Sequence, residues 1–409
     1  MANTILTPTQ VTRKALALLH NNLKFVKTID RQYDNQFARS GAKIGDSLKV
    51  RMPNQFTVRS GATISTQDVS ETSQTLTLAT QRGVDINFSS VELTLSLDDF
   101  AERILEPAMA RLAAEVEYII LSNVYKDVYN LTAADPDAEP DAILDVLRAN
   151  ARVSQGLAPD GNRHFILDSS TMFPLVNSVS TYFHKASELE RAFAEGYIGM
   201  AAGVKWWESN MVPSHTNGTR DDTTPVVNTS SGITSGTATI AITGLDASAT
   251  VKQGDVFKVA DVYAVNPETK QRYSHLQQFA ATADGTASGA GALTVSVTPT
   301  PTTSGATQNV ELVSAGAGKA VVFTAAGGSG DASTVYIQPL LYHRDAFAMV
   351  TADLEMPRGQ DFAARETHDG ISLRIVRQYD ITNDKFPCRI DVLFGYKTLR
   401  PEWAARVRG

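Results

Sequence analysis

The sequence is poor in the residues on which most metal and redox chemistry depends. Cys388 is the only cysteine among 409 residues, which excludes an intrachain disulfide, a CxxC redox pair and a cysteine-based zinc site. The seven histidines are scattered, without an HExxH motif or another pair at metal-ligand spacing. We therefore expect no metal and no cofactor.

Long apolar runs are missing as well. No stretch approaches the roughly 20 apolar residues that a membrane-spanning helix requires, so we expect no membrane partner. The apolar patch at residues 15–19, "ALALL", is too short for the core of a signal peptide. The sequence thus favours a protein that folds in a cytoplasm.

The catalytic motifs that the sequence suggests each lack residues that their chemistry requires. "SAGAGKAVV" at 314–322 has Val313 where a phosphate-binding loop needs its first glycine, and Ala320 where it needs serine or threonine. "HRD" at 343–345 lacks the other elements of a kinase catalytic loop, which favours a surface or subunit-contact role for His343. No GxSxG motif surrounds a serine. The sequence therefore gives little support to an enzyme.

The charge balance is acidic, with a formal net charge of −7, which argues against a general nucleic-acid-coating surface. Residues 1–45 depart from that balance, since seven Lys/Arg lie between Arg13 and Lys43 against two Asp. A helical pattern runs from Thr9 to Asp34 in this segment. It is either a solvated helix face or a basic arm in which Arg13 and Lys14 contact partners.

Alternating polar and apolar residues follow the arm. "DSLKVRMP" and "QFTVRSG" predict a two-stranded ribbon, and "QTLTLATQ" and "GVDINFSS" predict two further strands. An isolated ribbon has little core of its own and is marginally stable. We expect it to pack on something else.

Residues 106–129 are predicted to form a long helix of about 36 Å. Pro107 fits a first helical turn, and the core face comprises Met109, Leu112, Val116 and Ile119, with Ile120 beside them. Ser96 and the acids after it predict a capped short helix over 97–105 that precedes the long one.

The second half of the chain alternates between two kinds of composition. Residues 142–154 predict an amphipathic helix and "RHFILDSS" a buried strand. Residues 219–334 are rich in Gly, Ala, Ser and Thr and contain many short strand-like runs, which predict an inserted all-β domain. A helix-containing host pattern resumes at "TVYIQPLLYHRDAFAMV".

Taken together, "AKIGDSLKVRMP", "DVSETSQTLTLATQRGVDINFSSVELTLSLDDFAERILEPAMARLA" and "GYKTLRPEWAARV" resemble segments of the major capsid proteins of tailed bacteriophages, which have the Hong Kong 97-type fold. The insertion and "VKQGDVFKVADVYAVNPETK" are most similar to coat proteins of the phage P22 type. The resemblance implies an α+β fold in six parts: an N-terminal arm (1–45), an extended β loop (46–74), a peripheral domain with a spine helix (75–135), a first axial part (136–218), an inserted β domain (219–334), and a second axial part with C-terminal strands returning to the peripheral domain (335–409).

The same resemblance implies a function. It predicts a coat protein whose pentamers and hexamers form an icosahedral shell around double-stranded DNA, found in the virion and assembled in the host cytoplasm. The implied partners are other copies of the chain, portal and scaffolding proteins, and packaged DNA by proximity. The resemblance also implies that the ribbon lies over an adjacent copy, with contacts from Lys49, Arg51, Gln55 and Arg59. Another phage structural protein, such as a tail or decoration component, is the first alternative, and a non-assembling enzyme or sugar-binding module is the second.

Overall fold

The computed structural model describes residues 8–31, 47–64, 66–68, 71–89, 104–132, 140, 142–180, 199–220, 224–230, 232–314, 317–323, 333–357, 359, 362–368, 370–382 and 385–408. The chain forms two compact units. Unit 1 comprises Met1–Met52, Thr72–Ile120 and Phe347–Leu399, and unit 2 comprises Pro53–Glu71, Leu121–Ala346 and Arg400–Gly409. Each unit therefore combines segments that are distant in sequence.

Five α-helices are found in the described part of the chain: α1 Pro8–Asn22, α2 Phe25–Thr28, α3 Glu106–Val124, α4 Ile143–Gln155 and α5 Ser169–Ser180. Short 3-10 turns occur at Tyr125–Asp127, Arg344–Ala346 and Pro401–Trp403. No helix within the described ranges has both the length and the apolar character needed to cross a membrane.

The strands are, in chain order, β1 Ser47–Arg51, β2 Ser73–Thr77, β3 Thr80–Ser89, β4 Leu131–Thr132, β5 Arg163–Leu167, β6 Met200–Ala201, β7 Val204–Glu208, β8 Ser214–Thr216, β9 Val226–Val227, β10 Thr239–Thr243, β11 Thr250–Val251, β12 Val256–Val265, β13 Arg272–Ala281, β14 Gly285–Thr286, β15 Leu293–Thr298, β16 Val310–Leu312, β17 Val321–Phe323, β18 Val335–Ile337, β19 Leu340–His343, β20 Phe347–Ala352, β21 Phe362–His368, β22 Ile371–Arg377, β23 Lys385–Thr398 and β24 Ala404–Val407.

Unit 1 is built around the long strand β23. It pairs antiparallel with β3, β22 and β20, and β21 pairs with β22. The middle of β23 is buried at every position from Ile390 to Gly395, as expected for a central strand covered on both faces. A side chain at Gly395 would collide with the backbone carbonyl of Thr77, so glycine lets β2 pass close to this strand.

The described part of the predicted N-terminal arm lies against this sheet. Helix α1 contacts β21 and β22, and its buried side chains include Val11, Ala15, Leu16 and Leu19. The prediction of one helical run from Thr9 to Asp34 was wrong, because α1 ends at Asn22 and a separate short helix begins at Phe25. Beyond that helix, Asp30 exchanges backbone hydrogen bonds with Phe347 and Met349.

The predicted ribbon is formed from different strands than expected. β1 pairs with β2 over Ser47–Arg51 and Ser73–Thr77, whereas "QFTVRSG" at 55–61 is not a strand. The backbone N–H and C=O of Thr57 instead bond the side chain of Gln67, at 2.8 and 2.6 Å. A side-chain amide thus replaces the strand partner that the alternating pattern requires.

Helix α3 is shorter than predicted. It ends at Val124 and continues only as a 3-10 turn to Asp127, which gives an α-helical length of about 28 Å rather than about 36 Å. The predicted short helix over 97–105 falls mostly outside the described residues.

Unit 2 contains the host α/β layer. Its sheet has the order β4-β24-β19-β5-β7-β6, and α4 contacts β4, β19 and β24. Every residue of β5 is buried, in agreement with the predicted buried strand. Helix α4 begins one residue later than predicted.

The inserted region of unit 2 has a sheet of its own, with the order β16-β12-β13-β15-β10-β9 and β17 added to β12. A separate hydrophobic cluster fills it, with Phe257, Phe279, Val262 and Ile240 fully buried. The strands that lead into and out of this region, β8 and β18, pair with each other.

The segment after the insertion was expected to contain a helix. The structure instead has β18, β19, a single 3-10 turn and β20 there. Leu340–His343 and Phe347–Ala352 are buried throughout, and a continuous apolar run of this kind does not distinguish a buried strand from a buried helix.

Candidate assembly surfaces and a buried polar network

The six residues predicted from the sequence to make assembly contacts are all exposed. Arg13 and Lys14 are neighbours on α1, and Lys49 and Arg51 point to the same face of β1. Gln55 and Arg59 belong to the segment between β1 and β2. The described contacts do not join the α1 pair to the β1 pair, although Arg13 lies 3.4 Å from Glu366.

The segment at 53–64 also exposes large apolar side chains, which the sequence reading did not single out. Phe56 is 57% exposed, Val58 97% and Ile64 80%. The fold of this loop is nevertheless fixed from within, since the Arg59 guanidinium donates to the carbonyls of Gly61 and Thr63. The grouping of three large exposed apolar side chains on one loop makes this segment a candidate contact surface.

The predicted core face of α3 lies largely in the interior. Met109, Leu112 and Val116 are buried, whereas Ile119 is only half-buried and the neighbouring Ile120 is fully buried. Beside this face, Glu115 lies 3.8 Å from Arg82 of β3 and 3.6 Å from Arg111.

Glu117 is a buried acid on the same helix. Its carboxylate accepts hydrogen bonds from the backbone N–H groups of Lys24, Phe25 and Val26, at the first turn of α2. Burial nevertheless dominates and raises the pKa of Glu117 from 4.5 to about 7. The sequence reading missed this contact, because its two sides are 93 positions apart.

A buried polar network lies at the base of the inserted region, within unit 2. The Tyr125 hydroxyl is 3.0 Å from Nδ1 of His215, and Nε2 of His215 is 2.8 Å from Oδ1 of Asp255. The other carboxylate oxygen, Oδ2, accepts hydrogen bonds from the backbone N–H groups of Gly218 and Lys252. The same oxygen lies 3.1 Å from Nη1 of Arg220.

These contacts define the protonation states. Burial raises the pKa of Asp255, but the hydrogen bond from His215 and the charge of Arg220 outweigh it, so the pKa is lowered overall. Burial also lowers the pKa of His215. With Asp255 ionised and His215 neutral, Nε2 carries the proton and Nδ1 accepts from Tyr125.

The order hydroxyl, imidazole, carboxylate is that of a catalytic triad, yet Tyr125, His215 and Asp255 are all buried. A substrate therefore has no route to the hydroxyl. Arg406 of β24 donates to the carbonyls of Gly254 and Lys126 beside the network. The network thus joins the end of α3, the base of the insertion and the C-terminal strand.

His343 was predicted at a surface or a subunit contact, and this was wrong. The side chain is buried, its ring packs edge-on against Trp403 with centroids 5.3 Å apart, and Nδ1 accepts from the backbone N–H of Asp345. Within the described ranges, the structure contains no group of three or more His, Cys, Asp or Glu side chains that could hold a metal ion.

Comparison with known proteins gives one family match. The model of the family described as "P22 coat protein - gene protein 5" matches residues 1–407. No curated protein sequence matches the chain.

Several solved structures are similar at low identity. A chain of Mycobacterium phage Che8 is 11% identical with a TM-score of 0.46, covering 94% of this chain and 90% of that one. A chain from the asymmetric unit of the bacteriophage PhiM1 mature capsid is 12% identical with a TM-score of 0.41, covering 93% and 89%. A chain from the procapsid of satellite phage P4, which includes the size determination protein, is 9% identical with a TM-score of 0.38, covering 100% and 93%.

Proposed function

The chain belongs to the P22 coat protein family, and we propose from this how its surfaces contribute to a shell. The protein is a major capsid protein of a tailed bacteriophage, a structural component of the virion and not an enzyme. Copies of the chain form the icosahedral shell. The resemblance found in the sequence is confirmed, and the family match over residues 1–407 is the observation that carries the assignment.

Assembly is the direct test of this function. The full chain, expressed with and without the other structural proteins of its phage, is examined by negative-stain electron microscopy. Shells or curved sheets of regular subunits are the expected result. A stable monomer under every condition, together with a ligand-dependent rise in melting temperature, would contradict a coat protein and favour a binding module.

The proposed architecture is the Hong Kong 97 type. In this proposal the long helix α3 and the sheet around β23 form the peripheral domain, and the α4-containing sheet of unit 2 forms the axial domain. The support is the order of the elements and the return of β23 to β3, whose paired residues run from Lys385 with Ser89 to Phe394 with Thr80 and are therefore 296 to 314 positions apart in the chain. A map of the assembled shell at side-chain resolution tests the assignment.

We assign the loop between β1 and β2 to the contact with an adjacent copy. Its apolar side chains Phe56, Val58 and Ile64 are exposed, and a contact of this kind would remove them from water. Closed rings of such head-to-tail contacts produce pentamers and hexamers.

A double substitution tests the loop. Phe56→Ser with Val58→Ser leaves the core of the subunit untouched, so the unassembled chain should melt as the unchanged protein does while shell yield falls. Ile381→Ser is the matched control, since Ile381 is also an exposed apolar residue. Normal shells from the double variant would exclude the loop as an assembly contact.

The basic N-terminal segment is proposed to face the inside of the shell, where Arg13 and Lys14 would meet scaffolding protein or packaged DNA. The exposure of both side chains on α1 supports this, and a portal protein is a further proposed partner. Residues 1–45 should resist protease in intact shells and be cut in free subunits. Equal cleavage in both would contradict an internal position.

The region 219–334 is proposed to be an autonomous β domain that projects outward, stiffens the subunit and contacts neighbours. A receptor-binding role is the weaker alternative. Its own hydrophobic cluster and the pairing of β8 with β18 at its base support the boundaries, since the ends of inserted domains are commonly close together. Residues 219–334 expressed alone should give a dispersed amide NMR spectrum, and a random-coil spectrum would show that the boundary is wrong.

A further inference from the structure

Two histidines meet at the edge of the N-terminal helix in unit 1. His20 lies in the last turn of α1, and His368 is the last residue of β21, a strand that α1 contacts. The centres of their rings are 5.3 Å apart. His20 is half-buried and His368 is exposed, so a small ion can reach the pair from solvent.

The distance between the rings is that of two ligands of one tetrahedral metal ion. A zinc–nitrogen bond is about 2.05 Å long and the ring centre lies about 1.1 Å behind the nitrogen, so each ring centre is about 3.2 Å from the ion. At the tetrahedral angle two such centres are about 5.2 Å apart, whereas the right angle of octahedral coordination brings them to about 4.5 Å. The observed 5.3 Å therefore favours zinc, which prefers tetrahedral sites and imidazole ligands.

The inclination of the rings is also suitable. The lone pair of an imidazole nitrogen lies in the plane of its ring, so a shared ion has to lie in both planes. The planes of His20 and His368 are inclined at 76° and therefore intersect, whereas the stacked rings of Tyr273 and His275, at 14°, are nearly parallel. Rotation about the last side-chain bond, which is broad for histidine, is sufficient to aim one nitrogen of each ring at a common point.

The surroundings of the pair are compatible with a cation. His20 is at the carboxyl end of α1, where the helix dipole is negative. Glu366 faces the same side of β21 as His368, two positions earlier, and its carboxylate lies 3.4 Å from Arg13 of α1. The carboxylate offsets the charge of Arg13, so the ion would not face an unpaired guanidinium.

Spacing along the chain could not reveal this pair, because α1 and β21 come from opposite ends of the sequence. Within the described ranges, no group of three His, Cys, Asp or Glu side chains is suited to a metal ion. The two imidazoles would therefore occupy two positions of the tetrahedron and water the others, as water does at the open position of catalytic zinc sites.

We propose that His20 and His368 form a two-histidine zinc site that joins the end of α1 to β21. The rest of this contact is apolar, since the buried side chains of α1 include Leu16 and Leu19. An ion at the edge adds a bond at the end of the helix, where helices fray. The attachment of the N-terminal helix to its sheet then depends on the zinc concentration.

The test uses the full-length, unassembled chain after removal of metal with EDTA and dialysis. Zinc is titrated at about pH 7.5 in a calorimeter, since protons compete with the metal for the imidazoles at lower pH. We expect a site of one zinc ion per chain with a Kd below about 0.1 mM. His20→Gln and His368→Gln should each weaken Kd at least about tenfold, because even the partners that orient metal ligands cost about 10–100-fold when removed. The control His275→Gln removes a histidine of β13 in unit 2 and should leave Kd within about twofold.

Two further measurements distinguish a bond between the elements from simple ion binding. Cobalt in place of zinc should give the intense visible absorption of tetrahedral coordination, and either histidine variant should lose it. Trypsin cuts after Arg13 and Lys14, which are exposed on α1, and saturating zinc should slow this cleavage at least about threefold in the unchanged chain but not in His368→Gln. Because His368 is remote in sequence from the cut, loss of protection in that variant would show that the ion joins the two elements.

Several results would overturn the proposal. A zinc Kd that is unchanged in both histidine variants would place the ion elsewhere, and a Kd above about 0.1 mM would mean that the pair is only a ring contact. Weak cobalt absorption would contradict tetrahedral coordination, and equal cleavage with and without zinc would mean that the ion does not hold the helix. Should one variant fail to fold by circular dichroism, the other carries the same expected loss. These measurements need no shells, so their failure is independent of the coat-protein function.

Discussion

Replacing Glu117 with glutamine is expected to make the subunit more stable at alkaline pH. The carboxylate lies in the interior of unit 1, where it accepts the backbone N–H groups at the start of α2. A glutamine keeps an acceptor oxygen for Lys24 and has nearly the same shape, but carries no charge. The substitution therefore removes the cost of a buried anion and retains most of the contact.

The sign of the pH dependence follows from the direction of the pKa change. The folded pKa of Glu117, about 7, is above the value of 4.5 for an unperturbed glutamate, so the folded subunit binds the proton more tightly than the unfolded chain. Stability from this group is therefore highest below pH 4.5 and falls until the pH exceeds the folded pKa.

The magnitude can be worked out from the same two values. The full difference between them corresponds to about 3 kcal/mol, and the part lost between about pH 5.5 and 8.5 is about 2 kcal/mol. Unfolding of the unassembled subunit by urea, measured at both pH values, should show this loss in the unchanged protein. The loss should be smaller by about 2 kcal/mol in Glu117→Gln.

Glu115→Gln is the matched control. It makes the same chemical change two positions away, in a partly exposed ion pair, where an effect below about 1 kcal/mol is expected. Other groups that titrate in this range affect all three proteins alike. Parallel stability curves for the unchanged protein and Glu117→Gln would refute the reasoning, because they would mean that Glu117 is ionised at no net cost.

Three further substitutions test other parts of the structure. Val116→Asp buries an unpaired carboxylate and should leave almost no soluble folded subunit in a sedimentation assay. The control Tyr118→Asp, on the exposed face of α3, should stay soluble. Normal assembly of Val116→Asp would show that this face of the helix is not part of the core. Asp255→Asn removes the charge of the buried carboxylate that lies 3.1 Å from Arg220 and should lower the unfolding free energy by about 3–5 kcal/mol, and a loss below about 1 kcal/mol would show that the network is dispensable. Gly395→Ala places a methyl group against the carbonyl of Thr77 and should cost about 1–3 kcal/mol in urea unfolding, so an unchanged midpoint would mean that β2 moves away freely.

The features predicted correctly from the sequence are those with a local signal. The apolar spacing of α3 identified Met109, Leu112 and Val116 as interior positions, because one amphipathic helix repeats every 3.6 residues whatever it packs against. The short strands of the insertion were found because alternation and turn residues recur there at short intervals.

The features that were missed depend on contacts distant in sequence. Glu117 reads as a solvent-facing acid until α2 is placed against it, and His215 reads as an isolated histidine until Asp255 and Tyr125 come within hydrogen-bonding distance. "QFTVRSG" has a strand pattern, but the backbone of Thr57 bonds the Gln67 side chain and not a neighbouring strand. Composition and periodicity contain no information about any of these partners.

The closure at the base of the insertion makes the region exchangeable as a cassette. Asn217 donates its N–H to the carbonyl of Thr334, and Ser333 donates to Gly218, so the two crossing chains could be joined there by a tight turn without separating β8 from β18. Recombination between phages, or an engineer seeking to display a foreign domain, could use this junction with little effect on the host sheet. Such an exchange would remove Asp255, which accepts the hydrogen bond from Nε2 of His215. The replacement domain must therefore contain another acceptor at that position, or His215 must be replaced by an apolar residue at the same time.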